Sequence, residues 1–269
     1  MGEKRGEAMS VKLPEGRNLS LSVRRVLNIL DYLSEYEGSR GCTLTEIAAG
    51  LEMNKSTLFN LLRTLQEYDV VSKDPEVDRY KLGLKTLYWA EACLSDIQLR
   101  KLASPLLHEL MEKVSETVHL VVYDKGEVVY IDKVECPHAI RMVSRVGMHM
   151  PAHSTAVGKA FLAYLPEANT RETIERGLHP RTANTITSPE ALIPHLEEIR
   201  RRGYAVDNEE NEHQVRCVAA PIFDHAAQVV AAISISGPTI RVTTEKIEQL
   251  GQEVKRTASS ISRHLGYCH

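Results

Sequence analysis

The sequence lacks paired cysteines. None of its five cysteines is spaced from another as a CxxC pair. An odd, scattered set of thiols, in a chain of 269 residues that can bury its own core, argues against a disulfide framework and favours a reducing cytosol. A structural zinc finger needs paired ligands at short spacing, so the pattern also argues against that class.

Other signatures of common protein classes are missing as well. No apolar run reaches the roughly 18 residues that a membrane-spanning helix needs. Basic and acidic residues nearly cancel, with a formal net charge of −3, which excludes a histone-like or polybasic-tail protein. The chain contains no GxxxxGKS/T, GxGxxG or HExxH motif, so no cofactor is expected. Residues 1–17 carry charges, glycine and proline but no apolar core, which predicts a disordered lead rather than a signal peptide.

The first domain, residues 18–83, is predicted to be a winged helix-turn-helix. Apolar residues recur at helical spacing over residues 20–36, and Thr43 and Glu46 form a capping-box pattern that begins a short second helix. After a tight turn, a third helix is predicted to reach about residue 68. Two short helices, a turn and a further helix are typical of a helix-turn-helix.

The predicted third helix has a leucine face and an opposite polar face. Ser56, Asn60 and Arg63 lie opposite the leucines on a helical projection. Asparagine can read adenine and arginine can read guanine in the major groove, while small hydroxyl side chains suit phosphate oxygens. Residues 54–66 contain Lys55 and Arg63 but no acidic residue. A polar face that merely meets solvent is the alternative, because the first domain as a whole is not basic.

A hairpin is predicted directly after the third helix. Two short strands, residues 70–74 and 79–83, flank a turn. A hairpin in this position would be the wing of a winged helix. Lys73, Arg79 and Lys81 on it could meet the phosphate backbone or the minor groove.

Residues 84–97 predict a rigid linker helix, and residues 98–269 a second domain of the α+β class. Helix and strand patterns alternate there, and strand pairs around short turns predict an antiparallel sheet. The predicted strands are residues 118–123, 127–134, 140–146, 216–223 and 229–236. The predicted helices are residues 99–114, 155–165, 172–176, 188–202 and 243–265.

Three segments of the second domain suggest a pocket. In PAHSTAVGKA a turn meets a helix whose first residues are small, so an anion can approach backbone N–H groups. In GYAVDNEENEHQVRCVAAPIFD, Asp207 and Cys217 bracket a polar loop. In AAISISGP, the strand period of two places Ser234 and Ser236 on one face, where their hydroxyls need partners or a polar cavity. Plain helix capping and hydrogen bonds to neighbouring backbone are the alternatives.

Two rival functions use some of the same residues. His153, Asp207 and Cys217 could form the triad of a thiol-dependent hydrolase, although no nucleophile signature surrounds the cysteine. His149, His153, His213 and Cys217 could instead ligate zinc in a metal sensor, although their spacing is unspecific. Both alternatives stay open on the sequence alone.

Three stretches of the first domain resemble the DNA-binding domain of the IclR family of bacterial transcriptional regulators. These stretches are SVRRVLNILDYL, LTEIAAGLEMNKSTLFNLLRTLQEYDVV and DRYKLGLKTLYWA. The resemblance implies a winged helix that dimerises on double-stranded operator DNA. It implies DNA contacts from Lys55, Ser56, Thr57, Asn60 and Arg63. Arg24 and Arg25 fall where the family often places a basic residue on the first helix, and a solvated helix face is their alternative role.

The resemblance continues into the second domain and implies a GAF-like effector-binding domain. Ala156 and Val157 would give backbone N–H groups to a ligand carboxylate, and Ser154 and Thr155 belong to the same turn. The side chains expected to take the ligand's carbonyl or hydroxyl oxygens are Asp207, Cys217, Ser234 and Ser236. The expected effector is a small organic acid or sugar acid from carbon catabolism. The resemblance thus implies a cytoplasmic, ligand-responsive repressor, a homodimer or homotetramer, rather than an enzyme.

Overall fold

The computed structural model describes residues 20–35, 41–95 and 98–268. The chain divides into two compact units, Met1–Cys93 and Leu94–His269. The predicted disordered lead lies outside the described residues. Within the described ranges, no helix is both long and apolar enough to cross a membrane.

The first unit contains a small helical core closed by a two-stranded hairpin. Its elements are α1 (Leu21–Glu35), α2 (Leu44–Gly50), α3 (Lys55–Glu67), β1 (Val71–Asp74), β2 (Arg79–Leu82) and α4 (Lys85–Ser95). Ile29, Ile47, Leu58 and Leu62 are fully buried in this core. The heptad-like leucine spacing of α3 therefore buries one side of the helix and leaves the other side exposed.

The predicted capping box at the start of α2 is confirmed. The Thr43 hydroxyl accepts a hydrogen bond from the Glu46 N–H at 3.2 Å, and the Thr43 N–H donates to the Glu46 carboxylate at 2.7 Å. Two N–H groups that the helix itself cannot satisfy are thereby paired. The cap of α3 is Asn54, which is extended and makes no side-chain capping bond.

The wing is an antiparallel hairpin that is tied to the start of α2. Val71 pairs with Leu82, and a further bridge joins Cys42 to Tyr80. Gly83 follows β2, where an added Cβ atom would lie 2.1 Å from the Asp69 carbonyl oxygen. Glycine is therefore required at this close approach. The predicted linker helix is present as α4, and the division between the two units falls inside it.

The second unit is an α+β domain built on one antiparallel sheet, as predicted. Its strands are β3 (Thr117–Asp124), β4 (Glu127–Val134), β5 (His149–Pro151), β6 (Ala205–Asn208), β7 (Val215–Phe223) and β8 (Val229–Pro238). Its helices are α5 (Gln98–Val114), α6 (Ala156–Leu162), α7 (Glu167–Glu175), α8 (Pro189–Arg202) and α9 (Ile247–His264), the last preceded by a 3₁₀ turn, Thr244–Lys246. The strand order is β5-β4-β3-β8-β7-β6.

Helices cover both faces of this sheet. On one face α5 and α9 pack against Leu120, Val218 and Ile233 in a fully buried apolar layer. On the other face α6 packs against the sheet in a layer that includes Val121 and Ala219, and α8 packs against α6. Because side chains alternate along each strand, the pocket segments and the α6 layer share the second face.

One predicted strand is wrong, and two short strands were not predicted. Residues 140–146 pair with no strand of the described chain, although Met142 and Ser144 are buried between exposed neighbours. The alternation of buried and exposed residues is real, but the segment forms no hydrogen-bonded ladder with a described strand. The strands β5 and β6 are too short to give a periodic signal of their own.

Candidate functional site

The outer face of α3 is an open polar surface. Asn60 and Arg63 are exposed, opposite the buried Leu58 and Leu62. In the described part of the chain, no hydrogen bond or ion pair engages the Asn60 amide or the Arg63 guanidinium. Their donors and acceptors are therefore available for an external partner.

The beginning of α3 adds donors that suit an anion. Lys55 and Ser56 are exposed and Thr57 is half-buried. The Lys55 ammonium donates to the Thr45 hydroxyl at 3.0 Å, and the Ser56 hydroxyl donates to the Asn54 side-chain oxygen at 3.3 Å. First-turn N–H groups of a helix have no helical acceptor and favour negative charge.

The three basic residues of the wing differ in their surroundings. The Arg79 guanidinium donates to the Gly41 carbonyl at 2.7 Å and lies 3.4 Å from the Glu46 carboxylate, so it braces the wing against the start of α2. Lys73 is ion-paired with Asp78 and lies over the Tyr80 ring. Lys81 is exposed, and its ammonium makes no hydrogen bond or ion pair within the described ranges.

The two arginines of α1 are accessible to solvent. Arg24 is exposed and Arg25 is half-buried. Neither guanidinium has an ion-pair partner among the described residues. Their position permits either role that the sequence leaves open, contact with DNA or a solvated helix face.

In the second unit, sheet register brings separate pocket segments into one row. Asp207 on β6 lies directly opposite Cys217 on β7, which lies opposite Ser236 on β8. Directly opposed residues point to the same face of a sheet. Ser234, two residues before Ser236, shares that face. The polar residues predicted from two distant segments therefore meet beneath α6.

A small cavity lies between this row and the start of α6. Its volume is about 10 Å³, which is room for about one water molecule. The predicted residues that line it are Thr155, Ala156, Val157, Asp207, Cys217, Ser234 and Ser236. Four further lining residues were not predicted: Tyr130, Met142, Asn211 and Val215. Ser154 does not line the cavity; its hydroxyl donates to the Asn211 side-chain oxygen at 3.2 Å.

The polar groups of the cavity are largely uncharged. Burial raises the pKa of the Asp207 carboxyl to about 7, although the nearby Lys159 ammonium and the N–H groups of Glu210 and Asn211 oppose the shift. Burial, followed by the neighbouring Asp207 carboxylate, raises the pKa of the Cys217 thiol, which therefore keeps its proton at neutral pH. The cavity thus offers a ligand a protonated thiol, several hydroxyl groups and a carboxyl group that gains or loses its proton near pH 7.

A buried ion pair joins α6 to the loop after β6, next to the cavity. The Lys159 ammonium of α6 is completely buried and donates to both carboxylate oxygens of Glu210. Glu210 also accepts from the Asn208 N–H at 3.3 Å. The pair therefore fixes the loop between β6 and β7, which carries Asn211 and begins directly after Asp207 and Asn208 at the end of β6.

The residues of the two rival functions are not assembled into sites. The His153 Nε2 faces the His179 carbonyl at 3.0 Å, and no described hydrogen bond joins His153 to Cys217. With a protonated thiol as well, the cysteine is not an activated nucleophile. His149 contacts the Glu127 carboxylate at 3.2 Å, and no three His, Cys, Asp or Glu side chains of the described residues are grouped to hold a metal ion.

Comparisons with known proteins cover both units. The family model of the IclR helix-turn-helix domain matches residues 22–75, and that of the bacterial transcriptional regulator IclR C-terminal domain matches residues 91–263. The HTH-type transcriptional regulator XynR of Escherichia coli K12 is 37% identical over 247 residues, which cover 91% of this chain and 97% of XynR. The acetate operon repressor of Salmonella typhimurium is 35% identical over 248 residues, 91% of this chain and 90% of that protein. The crystal structure of the Thermotoga maritima IclR is 41% identical, with a TM-score of 0.78 over 91% of this chain and 99% of that one.

Proposed function

The chain belongs to the IclR family of bacterial transcriptional regulators, and we propose that it represses a carbon-catabolism operon until a small organic or sugar acid binds its second domain. It is a DNA-binding regulator and not an enzyme. The name of the acetate operon repressor supports the repressor role and the link to carbon metabolism. A protein that binds chromosomal DNA in a bacterium works in the cytoplasm.

The observation that carries the DNA-binding part is the open face of α3. Asn60 and Arg63 suit base edges in the major groove, and Lys55, Ser56 and Thr57 suit the phosphates beside it. The side chains on this face are positioned by leucines that are buried on the other side of the helix. Recognition of a DNA sequence requires a rigid element that presents donors with no partner inside the protein, and α3 is such an element.

Two copies of the chain are expected on each operator. A single winged helix makes too few contacts for tight specific binding. Leu27 on α1 and Leu87, Tyr88 and Trp89 on α4 are exposed apolar side chains, which supports pairing with a second copy. We propose a homodimer, or a homotetramer of two such dimers, on a pseudo-palindromic operator.

The cavity of the second unit supports an acid as effector. Neutral donors and the first-turn N–H groups of Ala156 and Val157 can hold carboxylate and carbonyl oxygens without a full positive charge. Because the cavity holds only about one water molecule, binding must widen it. A ligand that binds the widened form more tightly increases the population of that form. We expect this to change the free energy of operator binding by about 1–3 kcal/mol.

Selection of random DNA duplexes by the purified protein, followed by sequencing, tests the proposed function. We expect an inverted repeat whose half-sites lie one or two helical turns apart. We also expect affinity to fall steeply with salt concentration, because phosphate contacts release counterions. Enrichment of no sequence would contradict the role proposed for α3.

The basic residues of the wing are expected to respond differently to alanine. Lys81→Ala should weaken binding to all duplexes alike and reduce the salt slope by about 1, because the free ammonium contacts phosphate. Arg79→Ala should instead lower the free energy of unfolding by about 1–3 kcal/mol, because the Gly41 carbonyl loses a charged donor. Salt-dependent anisotropy titrations and urea unfolding of both variants separate the two roles. Equal loss of stability in both variants would show that Lys81 is also structural.

The hydroxyls of Ser234 and Ser236 are expected to be needed for the effector but not for DNA. A thermal-shift screen of keto acids, aromatic acids and uronic-acid derivatives should identify stabilising compounds. A ligand at a concentration 100 times its Kd raises the free energy of unfolding by about 2.7 kcal/mol. In the double variant Ser234→Ala/Ser236→Ala the shift should disappear, while operator affinity without effector stays unchanged. An unchanged shift would place the effector site elsewhere.

A further inference from the structure

His119 lies directly behind the two serines of the cavity wall. It is on β3, opposite Ser234 in the strand register, and it is completely buried. It does not line the cavity itself. The Tyr130 ring, which does line the cavity, meets the His119 ring edge-on at a centroid distance of 4.9 Å.

The two ring nitrogens of His119 contact different parts of the site. The Nδ1 atom lies 3.3 Å from the Ser236 hydroxyl oxygen and 3.4 Å from the Ser234 hydroxyl oxygen. The Nε2 atom lies 2.8 Å from the hydroxyl oxygen of Ser144. Ser144 lies two residues after Met142, which lines the cavity. The imidazole therefore connects the two serines of β8 to the segment that carries Met142.

The imidazole is neutral under physiological conditions. Burial, reinforced by the nearby Lys133 ammonium, lowers the pKa of His119 to about 3. A neutral imidazole carries one ring proton, so one nitrogen donates a hydrogen bond and the other accepts one. Which nitrogen donates decides what the serine hydroxyls can offer to a ligand.

The two tautomers have opposite consequences for the cavity. With the proton on Nδ1, the ring donates to the serine oxygens and needs neither hydroxyl hydrogen. The two serine oxygens lie 3.4 Å apart, so one hydroxyl can donate to the other while the second hydrogen points to a ligand. With the proton on Nε2, one serine must donate its hydrogen to Nδ1 and can then only accept from a ligand. An N–H group can be shared between two oxygens, and the nearly equal distances of 3.3 and 3.4 Å fit such a shared donor.

We propose that His119 is a positioning residue for effector recognition, which carries its proton on Nδ1 and so reserves a hydroxyl hydrogen of Ser234 or Ser236 for an acceptor atom of the ligand. The cavity then prefers a carbonyl or carboxylate oxygen at this point over a ligand hydroxyl. This inference rests on the proposed function, because it assigns the chemical selectivity of the same cavity.

The first experiment reads the tautomer in the full-length protein without any effector. Protein labelled with ¹⁵N at its histidines gives well separated signals for protonated and bare ring nitrogens, and His119→Gln identifies the signals of His119. We expect a protonated Nδ1 and a bare Nε2 at neutral pH. A protonated Nε2 would overturn the proposal, whatever the effector proves to be.

The second experiment uses two variants in which an amide replaces the imidazole and keeps a donor near only one of its two nitrogen positions. His119→Asn keeps a donor near the position of Nδ1, and His119→Gln keeps one near Nε2. Pyruvate and lactate serve as probes in calorimetric titrations, since they differ in a carbonyl or a hydroxyl on the same carbon skeleton. We expect the parent protein and His119→Asn to prefer pyruvate, with affinities for it within about threefold of each other.

In His119→Gln we expect pyruvate affinity to fall about tenfold and the preference over lactate to vanish. A preference retained in His119→Gln, or equal losses in both variants, would overturn the positioning role, and urea unfolding of both variants shows whether either is merely unstable. If the parent protein binds neither these probes nor any acid of the screen, the proposed effector class fails. The ring-nitrogen signals still decide the tautomer in that case, so the two failures are distinguishable.

Discussion

Lys159→Met is expected to lower the free energy of unfolding by about 3–5 kcal/mol. The Lys159 ammonium is completely buried, and its partner Glu210 is nearly so. Removing the ammonium leaves the Glu210 carboxylate without its main donor in the interior of the domain. Urea unfolding at a fixed protein concentration measures the loss, since the stability of an oligomer depends on concentration.

The large effect is expected to come from the unpaired charge rather than from lost packing. Methionine has nearly the volume of the lysine stem, so it leaves little cavity. Replacing a whole buried ion pair by apolar residues is often neutral, so the double variant Lys159→Met/Glu210→Leu should recover most of the stability. Lys101→Met, at an exposed position of α5, is the matched control and should change stability by less than about 0.5 kcal/mol. A loss below about 1 kcal/mol in Lys159→Met alone would contradict this account of the pair.

The sequence was sufficient for those parts of the fold that depend on local periodicity. The leucine spacing of α3 and the Thr43–Glu46 capping box predicted the helices of the first unit, because each depends on residues three or four positions apart. Residues 140–146 show the limit of that reasoning. Alternating burial is common to strands and to extended segments, and only a partner strand distinguishes them.

The cavity could be predicted only in part, because it depends on register between distant strands. Asp207, Cys217 and Ser236 were each suggested by their own segment, but their alignment in one row follows from pairings across β6, β7 and β8. Tyr130 and His119 gave no local signal, since a buried aromatic or histidine on a strand is usually a core residue.

A usable signal did exist for the buried ion pair. Lys159 stands alone in the small and apolar run AVGKAFLA, on a helix that is buried throughout. A lysine that cannot reach solvent must find a carboxylate, and Glu210 lies in the acidic loop DNEENE. The sequence could thus have indicated a buried pair, but several acidic residues of that loop were equally suitable partners.

Arg63→Ala is expected to weaken binding to the selected operator by about 1–3 kcal/mol, roughly 5- to 150-fold. The Arg63 guanidinium is exposed, has no partner in the described chain and projects from the middle of α3. A bidentate contact to guanine carries discrimination as well as affinity, so specificity at one operator position should relax in this variant. Binding to random duplexes should change much less than binding to the operator.

Arg63→Lys separates base reading from simple attraction to phosphate. Lysine keeps the positive charge but cannot form the two parallel hydrogen bonds of a guanidinium, so operator affinity should fall nearly as far as in the alanine variant. If Arg63 contacted only phosphate, the lysine variant would bind like the parent protein and the alanine variant would lose affinity for all sequences alike. Stability should change by less than about 0.5 kcal/mol in both variants, because the exposed side chain makes no described contact. A changed footprint with unchanged stability therefore assigns Arg63 to the operator rather than to the fold.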